Sequence, residues 1–315
     1  MSEASPGVDP ASYLQRLLDG GVLIATGVDG VYGRSAAFEE VVERLDALIT
    51  RAGRNDGAEV LRFPPAITQR DFEMSGYLHS FPHLAGTVHS FCGDERAHRE
   101  ILRCVGEGED WTAGQKIAGL VLTPAACYPV YPVMAKRGGL PGQGRLVDVY
   151  SYCFRREPSL DPTRLQLFRM REYVRLGTPE QCLEFRETWL ERGQALIASL
   201  GLPLEIDVAN DPFFGRAGEI MAENQRRQKL KFELLIPVAD PARPTACLSF
   251  NYHSDHFGQV WNIRTPDGAL GHTACVGFGM ERITLALFKH HGLDPAAWPE
   301  AVRAALWSRD RTPAA

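Results

Sequence analysis

Residues 151–177, SYCFRREPSLDPTRLQLFRMREYVRLG, concentrate the groups best able to do chemistry: arginines, carboxylates, a methionine and a thiol. Two strand-like runs flank a turn region containing Pro158, Asp161 and Pro162, which reads as a β-hairpin with a long loop. Side chains alternate across a strand, so Cys153, Arg155 and Glu157 fall on one face of the first run. Phe168, Met170, Glu172, Val174 and Leu176 fall on one face of the second, which sets a carboxylate in an apolar stripe. Such a group is costly to bury unless it is paired, hydrogen-bonded or bound to a metal. This floor would suit a polar ligand with an aromatic base, and a charged hairpin with a solvated face fits the same residues. A second stretch, Gly277-Phe278-Gly279 before Glu281-Arg282, lacks the third glycine of a dinucleotide fingerprint and is weak alone. Cys127 and Cys275, taken singly, read as buried small residues.

The elements that must position these groups follow from periodicity and punctuation. Residues up to about Val31 read as a loose N-terminal segment with one short helix over 11–18. From Ser35 an amphipathic helix carries Phe38, Val41, Val42, Leu45, Leu48 and Ile49 at helical spacing, with Gly53 as its stop. Residues 59–63 read as a strand cut off by Pro64 and Pro65, and 78–92 as a strand with loops. Residues 119–124 and then 125–132 read as a strand and a turn into a short helix, and glycines over 138–144 lead into the hairpin. Thr178-Pro179-Glu180-Gln181 is a capping box opening a helix to about Leu200, which takes Cys182 into the core. Strands are expected at 205–208, 231–238, 246–252 and 259–264, with a helix over 218–230. Residues 274–292 read as a strand turning into a helix through Gly277 and Gly279.

The pattern is mostly antiparallel sheet with flanking helices, so α+β, in one domain over residues 1–315 whose first 34 residues are loose. A hydrophobic content of 44%, a charged content of 23% and a formal charge of −5 argue for a globular protein and against nucleic-acid binding as its main task. No apolar run reaches membrane-spanning length, and the first residues lack the pattern of a secretion signal. Seven cysteines without a CxxC pair point to reduced thiols in the cytoplasm.

Taken together, three stretches resemble the signature motifs of class II aminoacyl-tRNA synthetases. The strand with Phe154, Arg155, Arg156 and Glu157 looks like motif 2. Gly277, Gly279, Glu281 and Arg282 opening a helix look like motif 3, and Pro64-Pro65 after a long helix and a strand looks like motif 1, the dimer-forming element. Over roughly residues 38–292 the chain resembles the seryl-tRNA synthetase core, with CFRREPS, NYHSDHFGQVWNIR and LVLTPAACYP in comparable places. No long coiled-coil arm is expected before that core, and no appended domain after it. A truncated, zinc-dependent core of this kind defines the bacterial amino acid:[carrier protein] ligases, and the sequence is similar to that family along its length.

The resemblance implies a Zn2+ ligand set of Cys127, Glu172 and Cys275, three ligands with one position left for a substrate amine. It places ATP with Mg2+ against Arg155 at the α-phosphate, Glu157 at the adenine amino group, and Met170 and Arg282 on the two adenine faces. The acidic magnesium ligand of seryl synthetases is replaced by uncharged residues around Thr245 to Cys247, which leaves Glu233 as a candidate. The implied reaction activates glycine or alanine and passes it to the phosphopantetheine thiol of an acidic carrier protein, without tRNA, in a homodimer. Arg226, Arg227, Lys229 and Lys231 form a candidate docking patch for that carrier. Two other outcomes fit the motifs: a minimal seryl-type tRNA synthetase, and a non-catalytic synthetase-like binding subunit.

Overall fold

A computed structural model describes residues 10–308. The chain opens with α1 (Pro10–Asp19), β1 (Leu23–Val28), β2 (Val31–Arg34), α2 (Ala36–Gly53), β3 (Glu59–Arg62) and β4 (Ala66–Thr68). Then come α3 (Gln69–Met74), α4 (Tyr77–Ser80), β5 (Thr87–Phe91), α5 (Glu95–Glu107), β6 (Gln115–Leu122) and α6 (Val130–Lys136). The hairpin is β7 (Arg145–Phe154) and β8 (Leu167–Gly177), followed by α7 (Pro179–Ser199), β9 (Glu205–Val208), α8 (Gly215–Arg227) and β10 (Lys231–Ile236). The chain continues through β11 (Thr245–Ser254), α9 (His256–Trp261), β12 (His272–Gly279), α10 (Met280–His291) and α11 (Glu300–Trp307).

Seven strands form the main sheet in the order β3-β7-β8-β12-β11-β10-β9, with only β3–β7 parallel. A three-stranded sheet, β4-β6-β5, and the β1–β2 hairpin stand apart from it. One face of the main sheet is covered by α2, α7 and α10, whose Phe38, Leu45, Trp189, Ile283 and Phe288 are buried against Tyr173, Phe250 and Phe278. The other face is covered at one end by α6 and α9, with Val130, Tyr131 and Phe257 packed on Val147, Val149 and Val174. The rest of that face is left open, and there the site forms.

Local signals account for most boundaries. The Ser35 hydroxyl accepts from the Phe38 N–H at the start of α2, and α7 opens on the full Thr178–Gln181 capping box. At Gly53 a Cβ would lie 2.5 Å from the Tyr173 hydroxyl oxygen, so only glycine lets the end of α2 meet β8.

Three expectations are corrected. The N-terminal segment is not loose over its described part: Tyr13, Leu14 and Leu17 of α1 are in the core, and β1–β2 is a hairpin. Residues 1–9 of that segment lie outside the described residues. The expected strand at 259–264 is α9 and its exit. The Gln259 amide donates to Asp255 and Asn262 stops the helix at φ 50°, and periodicity cannot separate helix from strand in so short a run. Alternation does not carry Arg155 and Glu157 along the strand. Pairing stops after the Arg155 N–H reaches the Gln166 carbonyl, and the Arg156 N–H then turns to Leu84. One further helix, α5, was not expected, although the Asp94 side chain accepts from the Ala97 N–H at its start and Gly108 closes it at φ 69°.

Candidate active site

The open face of the sheet carries a cavity of about 510 Å3 between β8, β12, β11, β10 and the loop that follows β6. Register sets its floor. Glu172 on β8 is paired with Gly277 on β12, which is paired with Ser249 on β11; the next row is Val174, Cys275 and Asn251. Two-residue alternation therefore lays Met170 and Glu172, Cys275 and Gly277, and Ser249 and Asn251 on one surface. Gly277 keeps this floor low, since a Cβ there would sit 3.2 Å from the Ser249 hydroxyl and 3.4 Å from the Met170 methyl.

Cys127 arrives from the turn before α6, and its backbone N–H donates to Glu172 Oε1 at 3.1 Å. The ligand atoms of Cys127, Glu172 and Cys275 lie within 4.8 Å of one another, and all three residues are buried. Burial first, and then the neighbouring Cys275, push the Glu172 carboxyl up to about 8. Of the two thiols, Cys275 is drawn below its ordinary range by hydrogen bonding with Cys127, and His253 and Asn251 add to this against the effect of burial. Cys127 is pushed up by the same contact and by burial. Tyr131 lies beneath the cluster, and its buried hydroxyl is close to Cys127 but makes no hydrogen bond of normal geometry. Three groups that each become anionic, gathered in a dry corner with no cationic side chain within the set, are the donors a thiophilic cation takes. The residues fit Zn2+.

The other end of the cavity is cationic. Arg155 is held by its Nε to the Pro124 carbonyl at 3.1 Å and lies 5.5 Å over the Phe168 ring. Arg282 donates to the carbonyls of Thr163 (2.9 Å) and Ala246 (3.0 Å). Burial and the nearby Arg155 push the Arg282 guanidinium down from its ordinary value. Two guanidiniums bound mainly to carbonyls keep charge to offer an anion. Glu157 meets Arg164 at 3.0 Å and Met170 lines the cavity with the arginines and the Cys127–Glu172–Cys275 corner.

No protein-family model matches the chain. Amino acid–[acyl-carrier-protein] ligase 1 of Bradyrhizobium diazoefficiens is 53% identical over 277 residues, 88% of this chain and 85% of that protein. Ligase 2 of the same organism is 50% identical over 294 residues, 93% of this chain and 87% of that one. The chain belongs to the amino acid–[acyl-carrier-protein] ligase family. A type-2 serine–tRNA ligase of Methanopyrus kandleri is 27% identical over 85% of this chain, which spans 54% of that enzyme. The fold of this ligase-family chain is that of class II aminoacyl-tRNA synthetases. M. kandleri SerRS, solved in complex with A. aeolicus tRNASec, matches it with a TM-score of 0.79 at 22% identity, over 96% of this chain and 62% of that one. Seryl-tRNA synthetase from Pyrococcus horikoshii complexed with ATP matches with a TM-score of 0.66 at 16% identity, over 92% and 60%.

All seven expected site residues of this family member border one cavity. Two expectations shift. Lys231 does not belong to an exposed patch: it is buried in the cavity wall and paired with Asp211 (2.5 Å) and Glu233 (2.9 Å). Burial acts to raise the Asp211 carboxyl, but Lys231 and Gln225 outweigh it and hold the group below the usual carboxylate range. Arg226, Arg227 and Lys229 remain exposed on α8 and its exit. Glu233, the magnesium candidate, is thus already engaged by an ammonium. Sequence reasoning gave no site role to Asp211, Asn251, His253 and Tyr131, and read Lys231 as a surface cation. Asn251 and His253 did lie within NYHSDHFGQVWNIR, one of the segments that carry the family resemblance.

Proposed function

We propose that the chain activates a small amino acid, glycine or alanine, with ATP as an aminoacyl-adenylate. It then transfers the aminoacyl group to the phosphopantetheine thiol of an acyl carrier protein. The observation that carries this reading is the juxtaposition, in one cavity, of the Cys127–Glu172–Cys275 corner with Arg155 and Arg282. The kinship with amino acid–[acyl-carrier-protein] ligases supports it. Bound Zn2+ would supply a Lewis acid that takes the substrate's neutral α-amino group at a fourth position. The chain's own residues do the rest. Arg155 clamps the α-phosphate and stabilises the charge that grows there as the amino acid's carboxylate oxygen attacks phosphorus and pyrophosphate leaves. Met170 and Arg282 hold the two adenine faces and Glu157 accepts from its amino group. The carrier thiolate then attacks the mixed anhydride's carbonyl carbon and AMP departs, so no covalent nucleophile of the enzyme is needed. The protein's contribution is alignment and electrostatics.

Magnesium accompanies ATP in this reading, with Glu233 as a ligand only after Lys231 lets it go. An acidic carrier docks near α8, where Arg226 and Arg227 lie beside exposed Phe214, Ile220 and Met221. The residues form one catalytic domain that works as a homodimer through the Pro64-Pro65 region beside β3, an edge strand whose Val60 is exposed. Free cysteines favour the cytoplasm as its place, and among the described residues no helix is long and apolar enough to cross a membrane.

The test offers purified protein labelled glycine or alanine, ATP and Mg2+ with holo-carrier protein and bulk tRNA together. Label on the carrier's phosphopantetheine and none on tRNA is the expected result and names the amino acid. Label on tRNA instead overturns the carrier reading.

A further inference from the structure

Two side-chain donors converge on one sulfur of the metal corner. Asn251 Nδ2 lies 3.4 Å and His253 Nε2 3.7 Å from Cys275 Sγ. The imidazole is clamped from behind, with Nδ1 3.1 Å from the hydroxyl of Thr273, a fully buried residue two positions before Cys275 on β12. Its ring also meets Phe257 edge-on, with centroids 5.2 Å apart at 76°. The backbone is shaped for this placement. The β11–β12 register slips between Tyr252 and Ser254, leaving His253 as the extra residue of a bulge, and Ser254 takes φ 53°. Bulges re-aim side chains next to sites, and a non-glycine residue in the left-handed region costs energy that something must hold in place. With Cys275 as a thiolate, which can only accept, Nε2 is the donor, and in the neutral ring Nδ1 accepts from the Thr273 hydroxyl.

We propose that His253 and Asn251 are positioning residues for the ligand Cys275, donating hydrogen bonds that aim its thiolate at the metal and withdraw part of its charge. This assignment rests on the metal reading of Cys127, Glu172 and Cys275. A thiolate that gives less charge leaves the metal a stronger acceptor for a neutral amine, which links the bulge to capture of the amino acid. Thr273 acts one step further back, through the imidazole.

The experiment strips the protein with a chelator, reloads it, and reads two quantities other than turnover. Competition with a chromogenic chelator gives Zn2+ affinity, and Co2+ substitution gives the thiolate-to-metal charge-transfer band. His253→Ala and Asn251→Ala are expected to weaken Zn2+ binding about 10- to 100-fold and to move the cobalt band, with the circular dichroism of the fold unchanged. His253→Gln, which can return a donor, is expected to recover part of both. Thr273→Val, close in shape, is expected to move the band by less, and it carries the test together with Asn251→Ala if His253→Ala does not fold. Wild-type affinity and an unmoved band in the folded variants overturn the proposal. A wild-type protein that takes up no Zn2+ overturns the metal reading and this assignment with it.

Discussion

The two faces of β8 treat buried charge in opposite ways. On the helix-covered face, Arg171 is 2% exposed and fully answered: it makes a two-point contact with Asp148 at 2.6 and 3.1 Å and reaches the Asp46 side chain at 2.9 Å. Arg169 on the same face meets Glu281 and Glu39, at 2.7 and 2.5 Å, and Glu281 also accepts from the Arg169 backbone N–H. On the cavity face, Glu172 is 1% exposed and receives one backbone N–H, with two thiols for company. The first face is structure, since each charge carries its own counter-charge and ties β8 to α2, β7 and α10. The second face gathers three acidic groups with no cationic side chain among them, which is the chemistry the proposed metal site requires. Burial alone does not distinguish the two, but the presence of a partner does.

Breaking the first face carries the largest expected effect. Arg171→Met leaves the buried Asp148 carboxylate with only the half-exposed Arg62 at 3.6 Å, and removing one member of a buried pair costs about 3–5 kcal/mol. Urea unfolding of the variant is expected to show that loss, while Zn2+ affinity stays near wild type. A variant as stable as wild type would mean that Arg171 is not what ties β8 to β7 and α2.

The second face makes a pH prediction. In the metal-free protein Glu172 keeps its proton to about 8, whereas the unfolded chain releases it near 4.5. Between those values the folded state binds more protons at this site than the unfolded state, so the stability Glu172 contributes is fully present below 4.5 and is lost as pH rises towards 8. The slope is about 1.4 kcal/mol per pH unit for one such group. Glu172→Gln is expected to flatten this slope and to abolish tight Zn2+ binding. A metal-free midpoint that does not fall between pH 5 and 8 would show that the carboxylate is not isolated.

The smallest expected effect sharpens the contrast. Gly277→Ala places a methyl 3.2 Å from the Ser249 hydroxyl and 3.4 Å from the end of the flexible Met170 side chain. Both neighbours can move, so the stability cost is expected below about 1 kcal/mol. The same methyl intrudes between the expected adenine and metal positions, so the KM for the amino acid or ATP in pyrophosphate exchange should rise. An unchanged KM would take Gly277 out of the substrate's path.

Much of this arrangement was legible in advance, for reasons that differ by residue. The α2 and α7 boundaries were readable because Ser35, Gly53 and the Thr178–Gln181 box act within one turn of the chain. Glu172 stood out because strand alternation has a period of two and a carboxylate breaks an apolar stripe visibly. Cys127 and Cys275 had no such mark. They are 148 residues apart in the sequence (275 − 127), each in an apolar neighbourhood, and only the family resemblance singled them out. Lys231 was misplaced because it closes a cationic run, and its turn inward depends on Asp211, twenty residues away on another segment.

The sequence by itself determined the long helices α2 and α7, the β7–β8 hairpin, and the chemical types that face each side of β8. These follow from short-range physics: caps, turn residues and the alternation of side chains. Only the tertiary structure decided that β12 lies against β8 with Gly277 beside Glu172, that the turn before α6 lowers Cys127 onto that pair, and that a bulge in β11 swings His253 over Cys275. Such contacts join residues far apart in the chain, and their geometry is set by register and packing, which no local pattern encodes.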